Sequence, residues 1–180
     1  MNNYIQIYKN VIQPEYCKQL IEKFEKNISE HDKQDSFPMS FTQINLNESK
    51  WDEEVNYLSS VYLRYLEQYK IDCNITEDMW PKEYAFEQIR MKRYLPNSND
   101  EFGNHVDAID LKSSKRFLVF FIYLDDNNEG QTAFTKLGQA SPCVRGSLLM
   151  FPPFWPWPHA GLKPVDKPKY ILGSYLHYHT

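Results

Sequence analysis

Two polar residues, His105 and Asp107, have the types and the spacing of metal ligands. Residues two positions apart on a β-strand project from the same face, so both side chains would point toward one ion inside a barrel. His159, one of only five histidines in the chain, is a candidate third ligand. Two histidines and one carboxylate on one face form the facial triad of non-haem Fe(II) sites, which leaves three coordination positions open. Those open positions would admit a co-substrate and O2.

Lys169 lies ten residues after His159, at the start of the otherwise apolar segment 169–175. An inward-facing lysine on such a strand requires an anion. A dicarboxylate that chelates the metal at its other end would supply one. Each of these residues also has an ordinary structural explanation. The His–Asp pair would end a strand, the histidine at 159 would bond to loop backbone, and the lysine would extend its ammonium into solvent.

Two amphipathic helices are predicted in the first half of the chain. The first covers 14–28 and opens with Pro14 in the first turn, where its missing N–H costs little. The second covers 51–69, where apolar residues recur at helical spacing. The polar stretch at 29–47 is predicted to be a loop with a short strand at 40–44. Both helices should pack against a flat apolar surface.

The pattern changes to short aromatic or β-branched segments bounded by turn residues from residue 86 onward. These segments predict strands at 86–94, 105–109, 116–124, 131–135, 147–151 and 169–177. Frequent strands without intervening helices indicate an antiparallel sandwich or barrel. We therefore predict a single domain over 1–180, with an N-terminal helical support at 1–85 and a β-barrel core at 86–178.

Composition argues against several functional classes. The 180 residues include 20 Lys and Arg against 24 Asp and Glu, a net charge of −4, which is unfavourable for a dedicated nucleic-acid-binding protein. No apolar run approaches the roughly 20 residues of a membrane helix, and Met1–Tyr4 shows no secretory leader. The three cysteines form no CxxC pair, which argues against a disulfide framework or a zinc ribbon. We expect a reducing, cytoplasmic location and no nucleic-acid or membrane partner.

Several motifs occur in a specific order along the second half of the chain. They are His105-x-Asp107, Arg116 to Leu124, Gly130-Gln131-Thr132-Ala133-Phe134, Pro142 to Pro152, and His159-Ala160-Gly161 followed by Lys169. Together they resemble the core of a 2-oxoglutarate- and Fe(II)-dependent dioxygenase. The resemblance is to the prolyl 4-hydroxylase-like branch, in its short stand-alone form from bacteria and phages, and it covers 86–178. It implies a double-stranded β-helix, which is a jelly-roll barrel with helices outside its major sheet.

The resemblance also implies roles for individual residues. His105, Asp107 and His159 would bind the catalytic iron. Lys169 would pair with the distal carboxylate of 2-oxoglutarate, a charge-assisted contact worth about 1.5–3 kcal/mol.

Two tyrosines are implicated in the same pocket. Tyr94 matches the tyrosine that precedes the His-x-Asp loop in the family, and its hydroxyl would share the co-substrate carboxylate. Tyr123 matches a pocket tyrosine of some members. Aromatic core packing explains both residues equally well. The chain departs from the family at Val119, where threonine is common, and at Gln131, where glutamate is common.

The implied activity is hydroxylation of a C–H bond with Fe(II), 2-oxoglutarate and O2, with release of succinate and CO2. The family favours a prolyl residue in a peptide as substrate, and a free amino acid or other small molecule is the alternative. Two rival functions are a cupin-type metal enzyme without 2-oxoglutarate and a non-catalytic barrel that binds a partner. The implied location is the cytoplasm. For a virus-encoded chain, this would be the cytoplasm of the host cell. Sequence patterns do not determine the oligomeric state.

Three further segments flank the predicted pocket. The loop at 95–104 is expected to close over bound substrate. The proline- and aromatic-rich run at 151–158 is either a wall beside the metal or a packed connection between strands. Arg90, Lys92 and Arg93 form a basic cluster near the predicted mouth, which is either a solvated face or a site for an acidic substrate.

Overall fold

The computed structural model describes residues 4–96 and 98–179. Asn97, in the loop predicted at 95–104, lies outside these ranges, as do Met1–Asn3, on which the expectation of no leader rests. Over the described ranges, no helix is both long and apolar enough to cross a membrane.

The two helices are α1 (Pro14–Lys26) and α2 (Asp52–Asp72), close to the predicted ranges. Proline occupies the first position of α1, as predicted. The first turn of α2 carries three acidic side chains, where negative charge complements the partial positive charge of a helix N-terminus.

Twelve strands are present in the described ranges. They are β1 (Gln6–Tyr8), β2 (Asp32–Ser36), β3 (Met39–Asn45), β4 (Tyr84–Phe86), β5 (Arg90–Tyr94), β6 (Glu101–His105), β7 (Arg116–Tyr123), β8 (Asn127–Phe134), β9 (Gln139–Cys143), β10 (Leu148–Phe151), β11 (His159–Gly161) and β12 (Lys169–Tyr178). Their pairings are antiparallel, in the order β1-β10-β7-β12-β5-β3-β6-β11-β8-β9, with β2 on β3 and β4 on β12. This nearly closed antiparallel barrel confirms the predicted double-stranded β-helix.

Alternating side chains on the strands divide the apolar core into two layers. On β7, Leu118, Phe120 and Ile122 pack in the layer that includes both helices. Val119 and Tyr123, the intervening residues, belong to the second layer, inside the barrel. This alternation follows from the two-residue period of a strand. The helices therefore cover the outside of the major sheet, as predicted, and the barrel interior is left for the site.

The N-terminal part of the chain, predicted as a helical support over 1–85, contributes strands as well as helices. β1 pairs with β10, and β3 lies between β5 and β6. The predicted loop at 29–47 is largely the β2–β3 hairpin. The strand signal was weak in β2, because all five of its residues are polar, and four of them are exposed.

The strand predicted at 105–109 is displaced toward the N-terminus, because β6 ends at His105. The backbone N–H groups of Asp107 and Ala108 donate to the carbonyl of Pro153, at 3.1 and 3.2 Å, instead of extending a strand. The expected closing loop is correspondingly shorter, since 101–105 is strand. The turn before β6 ends at the buried residue Asp100. The carboxylate of Asp100 accepts hydrogen bonds from the backbone N–H of Leu95 and from the hydroxyl of Ser40.

Other strand boundaries also differ from the predictions. The strand predicted at 86–94 is interrupted, because β4 ends at Phe86 and β5 begins at Arg90, and β8 begins at Asn127, before the predicted start at 131. Strands β1, β9 and β11 were not predicted. The last of these has only three residues and lies within a proline-rich connection, where periodicity gives no signal.

Candidate active site

Strands β6 and β11 bring two histidines together. His159 lies opposite His105 in the register of the two strands, and their ring centroids are 4.3 Å apart. Phe102 stacks on His105 at 3.6 Å between centroids, and Phe151 packs edge-on against His159 at 4.7 Å. Both imidazoles are therefore held by aromatic neighbours on the wall of the barrel.

Asp107 reaches the same point from the bend after β6. Its Oδ1 lies 3.6 Å from His105 Nε2, and its Oδ2 lies 3.3 Å from His159 Nε2. The ligand atoms of the three residues all lie within 4.8 Å of one another. Two histidine nitrogens and a carboxylate this close together can contact a single metal ion. The structure thus brings the three predicted residues together.

Hydrogen bonds on the far side of each imidazole orient the two rings. His105 Nδ1 lies 2.8 Å from the carbonyl oxygen of Gly103, and His159 Nδ1 lies 3.2 Å from that of Trp157. A carbonyl only accepts, so each Nδ1 carries the proton. Each Nε2 then presents its lone pair to the site, which is the arrangement that orients metal-binding histidines.

The carboxylate of Asp107 is buried and ionised. Burial by itself raises the pKa of Asp107, but when the rings of His105 and His159 are also protonated at Nε2, their hydrogen bonds and positive charge outweigh it and hold that pKa well below its usual range. Its Oδ2 has no hydrogen-bond partner among the described residues. A buried anionic oxygen without a donor is costly, and a metal cation at the common point of the three side chains would compensate it.

Tyr175 holds the other oxygen of this carboxylate and was not identified from the sequence. Its hydroxyl donates to Asp107 Oδ1 at 2.7 Å. The guanidinium of Arg116 lies over the Tyr175 ring at 4.0 Å, pairs with Glu87 at 2.6 Å and donates to the Asp107 carbonyl at 3.2 Å. Asp107 is therefore fixed through both its side chain and its backbone. The sequence contained one indication of this role. Tyr175 lies six residues after Lys169 and therefore projects from the same face of β12.

Lys169 projects into the barrel from the start of β12, opposite Tyr94 of β5. It is 1% exposed, and its ammonium lies 3.3 Å from the carbonyl oxygen of Leu162 and 4.8 Å from the centre of the Tyr94 ring. Burial lowers the pKa of Lys169 to about 8. Among the described residues, no carboxylate pairs with this ammonium. The position is therefore suited to an anionic ligand.

The two predicted tyrosines occupy different positions. Tyr94 lines the same cavity as Lys169, and burial raises the pKa of its phenol, so the hydroxyl stays protonated and available as a donor. Tyr123 is fully buried, and its hydroxyl donates to Thr132 Oγ1 at 2.7 Å. Thr132 in turn lines the cavity. Tyr123 thus lies one residue removed from the cavity, behind Thr132.

His105, Asp107, His159, Lys169 and Tyr94 line one cavity. The run at 151–158 contributes to it in two ways. Phe151 packs against a triad histidine, and the carbonyl of Pro153 holds the bend that carries the aspartate. Trp155, in contrast, is 75% exposed. The run is therefore both part of the wall and a packed connection.

The decisive comparison is with protein families. The family model for the 2OG-Fe(II) oxygenase superfamily matches residues 89–177, the segment that contains His105, Asp107, His159, Lys169 and Tyr175. The chain belongs to the 2OG-Fe(II) oxygenase superfamily. Among curated proteins, none matches the chain.

Solved structures share the fold of this oxygenase. A viral collagen prolyl hydroxylase from Paramecium Bursaria Chlorella virus-1, in a 2OG complex, is 18% identical with a TM-score of 0.70, over 98% of this chain and 97% of that one. A Pseudomonas putida prolyl-4-hydroxylase is 14% identical with a TM-score of 0.70, over 99% and 95%. A Trichoplax adhaerens prolyl hydroxylase, in complex with a hypoxia inducible factor peptide fragment, is 16% identical with a TM-score of 0.67, over 98% and 84%.

Membership of the superfamily confirms the predicted enzyme class. The protein is a 2-oxoglutarate-dependent dioxygenase that uses Fe(II), 2-oxoglutarate and O2. The two rival functions, a cupin-type enzyme without 2-oxoglutarate and a non-catalytic barrel, are not favoured.

Proposed function

We propose that this oxygenase hydroxylates a prolyl residue within a peptide. His105, Asp107 and His159 hold the iron, and Lys169 with Tyr94 holds the distal carboxylate of 2-oxoglutarate. The observation that carries the proposal is the shared cavity, in which two inward-facing imidazole nitrogens and an under-bonded carboxylate oxygen lie beside a buried lysine without an anion. One part of the cavity is suited to a cation and the other to a carboxylate.

Fe(II) and 2-oxoglutarate bound there supply the oxidative chemistry, in which one oxygen atom of O2 enters the substrate C–H bond and the other enters succinate as CO2 is lost. The protein contributes fixed ligands and a dry site. Phe102 and Phe151 hold the imidazoles and exclude water on their side of the cavity. Tyr175 holds the carboxylate of Asp107, which keeps the three ligand atoms on one face.

Lys169 and Tyr94 act on the co-substrate. The Lys169 ammonium pairs with the distal carboxylate, and the protonated phenol of Tyr94 donates a second hydrogen bond to it. Thr132, oriented by Tyr123, lines the cavity beside them. Tyr123 therefore acts through Thr132 and does not touch the co-substrate.

Exposed apolar side chains near the triad favour a peptide over a free amino acid. Ile109 and Leu111, in the loop that follows Asp107, are 77% and 94% exposed. Trp155, in the run that holds Asp107 through Pro153, is 75% exposed. Large apolar side chains exposed in neighbouring loops are typical of surfaces that bind another chain. The fold similarity to prolyl hydroxylases supports the choice of a prolyl residue.

The first experiment is an anaerobic titration of metal-free protein with Fe(II) and then 2-oxoglutarate, while the visible charge-transfer band of the chelate is followed. We expect the band in the wild type and in Lys169→Ala, where it requires much more 2-oxoglutarate. Asp107→Ala should give no band. Full iron binding without a band would contradict the assignment of the co-substrate site, and full turnover by Asp107→Ala would contradict the triad.

The substrate is tested separately with proline-containing peptides under O2. We expect succinate release together with the gain of one oxygen atom on the peptide by mass spectrometry. Free L-proline and non-prolyl peptides serve as comparisons. Oxidation of free L-proline alone, or of a peptide at another residue, would replace the peptidyl-proline assignment while leaving the oxygenase chemistry in place.

A further inference from the structure

The basic cluster predicted near the mouth separates into two groups that face opposite ways. Arg93 lies toward the helices, where its Nη1 is 2.9 and 2.7 Å from the two carboxylate oxygens of Glu25 on α1. Arg90 and Lys92, on the other face of β5, line cavities inside the barrel together with Tyr94. This division follows from the two-residue period of the strand. Two of the three cations are therefore available to a ligand in the barrel.

Neither of these cations is neutralised by the protein. Among the described residues, no carboxylate lies within ion-pair distance of Arg90 or Lys92. Arg90 bonds to the neutral amide of Gln88 at 3.2 Å. The Lys92 ammonium lies 4.5 Å above the Phe41 ring and 5.5 Å from the Phe102 ring. By contrast, the nearby cation Arg116 already pairs with Glu87 and is not available.

The two cations share a cavity that adjoins the cavity lined by His105, Asp107 and His159. No acidic residue lines it; its other walls come from β7 and β12 and include Ser174 and Tyr175. Lys92 and Tyr175 line both cavities. Because Tyr175 bonds to Asp107, a group held by Arg90 and Lys92 lies next to the position where the substrate C–H bond is oxidised.

The co-substrate does not account for this pair. In the register of β5 and β12, Lys169 lies opposite Tyr94, whereas Lys92 lies opposite Ile171 and Arg90 opposite Gly173. The pair is thus displaced along the barrel from the lysine assigned to 2-oxoglutarate. Burial lowers the pKa of Lys92 to about 8, a change that a bound anion would offset.

We propose that Arg90 and Lys92 bind a carboxylate of the substrate, and so select substrates with an acidic group close to the oxidised carbon. This inference rests on the proposed function and deepens it by naming a chemical feature of the substrate. In a peptide, the carboxylate belongs to an aspartate or glutamate next to the proline; in a free amino acid, it is the α-carboxylate.

The test compares charged and neutral members of two matched pairs. One pair is acetyl-Ala-Pro-Glu-Ala-amide and its Gln analogue, and the other is L-proline and L-prolinamide. Binding is measured by isothermal titration calorimetry on protein loaded with Mn(II) and 2-oxoglutarate without O2. We expect the charged member of one pair to bind about tenfold or more tightly than its neutral analogue, as for a charge-assisted contact. Which pair responds identifies the source of the carboxylate.

Variants show whether the two cations are responsible. Lys92→Met keeps the side-chain stem over Phe41 and Phe102 and should bring the charged and neutral members to within about twofold of each other. Arg90→Gln should reduce the preference in the same direction. Lys18→Met removes an exposed lysine from the outer face of α1 and should change nothing. The 2-oxoglutarate requirement should rise in Lys169→Met but not in Lys92→Met.

The outcomes separate this inference from the proposed function. Equal binding, or no binding, of both members in both pairs would overturn the carboxylate site, as would a preference that persists in Lys92→Met. Carboxylate-dependent binding that is lost in Lys92→Met supports the site even if no peptide gains oxygen. Equal hydroxylation of the Glu and Gln peptides, together with equal binding of L-proline and L-prolinamide, would leave prolyl hydroxylation standing and remove the carboxylate site.

Discussion

Individual residues in the cavity differ in how fully their charges are satisfied. Asp107 receives a hydrogen bond from Tyr175 at Oδ1, while its Oδ2 has no donor among the described residues. Lys169 has a backbone carbonyl at 3.3 Å but no anion among them. The two groups carry opposite charges, each lacks a full set of partners among the described residues, and both line the same cavity. They are the chemical basis for assigning a cation to one part of the cavity and a carboxylate to the other.

The charge of Lys169 predicts a pH dependence of co-substrate binding. Because burial lowers the pKa of Lys169 to about 8, the ammonium form is present at neutral pH and is lost above pH 8. We therefore expect the Kd of 2-oxoglutarate to rise by about tenfold per pH unit above 8. Titrations of the iron-loaded, anaerobic protein between pH 7 and 9.5 measure this dependence.

Two variants of Lys169 serve as controls for the pH prediction. Lys169→Arg keeps its charge throughout this range, so its Kd should not rise with pH. Lys169→Met should bind 2-oxoglutarate about tenfold to a hundredfold more weakly than the wild type at pH 7. The same pH profile in wild type and Lys169→Arg would show that another group is responsible.

The hydrogen bond from Tyr175 to Asp107 predicts that loss of the Tyr175 hydroxyl lowers metal affinity without unfolding the protein. Tyr175→Phe removes only the hydroxyl that holds Asp107, so we expect the affinity for Fe(II) or Co(II) to fall by about tenfold. Competition with a chelator measures this affinity, and circular dichroism monitors the fold. Tyr178→Phe, at an exposed position of the same strand, is the matched control. An unchanged affinity in Tyr175→Phe would refute the positioning role.

At the level of elements, β8 and β12 must approach closely for the lysine to enter the barrel. Gly130 of β8 makes this possible, because a Cβ there would lie 2.7 Å from Lys169 Cδ and 2.9 Å from Asn127 Oδ1. Asn127 itself receives the N–H of Gly130 at 2.7 Å. The Lys169 side chain therefore fits against β8 only because residue 130 has no Cβ.

Gly130→Ala is expected to displace the Lys169 side chain and weaken 2-oxoglutarate binding, with a smaller effect on metal affinity. Anaerobic 2-oxoglutarate titration and chelator competition measure the two quantities. Gly138→Ala provides a contrast, since Gly138 has φ of +59° and no neighbour within 4 Å of an added Cβ. It should lose about 1 kcal/mol of stability from the left-handed backbone and keep wild-type co-substrate binding. Equal effects of both substitutions on co-substrate binding would contradict this account of Gly130.

At the level of the whole molecule, the two faces of the major sheet have different roles, because each belongs to a different layer of the core. The outer face packs against α1 and α2, and Tyr62 of α2 donates to the carbonyl of Leu172 of β12 at 2.9 Å. The inner face is left to line the site. Helix packing thus stabilises the strands that carry the site, while the chemistry takes place on their other side.

Metal binding should therefore stabilise the fold as a whole. A metal at 100 times its Kd contributes about 2.7 kcal/mol, which raises the Tm of a chain of this size by roughly 5–10 °C. We expect this rise with Mn(II) or Co(II) in the wild type, measured by calorimetry. Asp107→Asn, which removes the charge and keeps the side-chain shape, should show a much smaller rise. An equal rise in both proteins would place the metal elsewhere.

Much of the fold was predictable because it depends on local patterns. Helical periodicity identified both helices to within a few residues, and alternating apolar segments identified β7, β10 and β12. The polar strand β2 and the short strand β11 were missed, because they exist through pairing with distant strands and not through their own periodicity. The structure brings His105 and Asp107 together, as their spacing indicated, but a bend after β6, held by the carbonyl of Pro153 and not by a continuous strand, positions the aspartate.

The order and spacing of His105, Asp107, His159 and Lys169 along the chain were enough to indicate the enzyme class and the candidate residues. The neighbours that act on these residues became visible only in the folded chain. Tyr175 reaches Asp107, and Arg90 and Lys92 separate from Arg93, through register and strand faces set by long-range pairing. The physical reason is that residue type and spacing are local, whereas burial, orientation and the absence of a charge partner exist only after distant strands have come together.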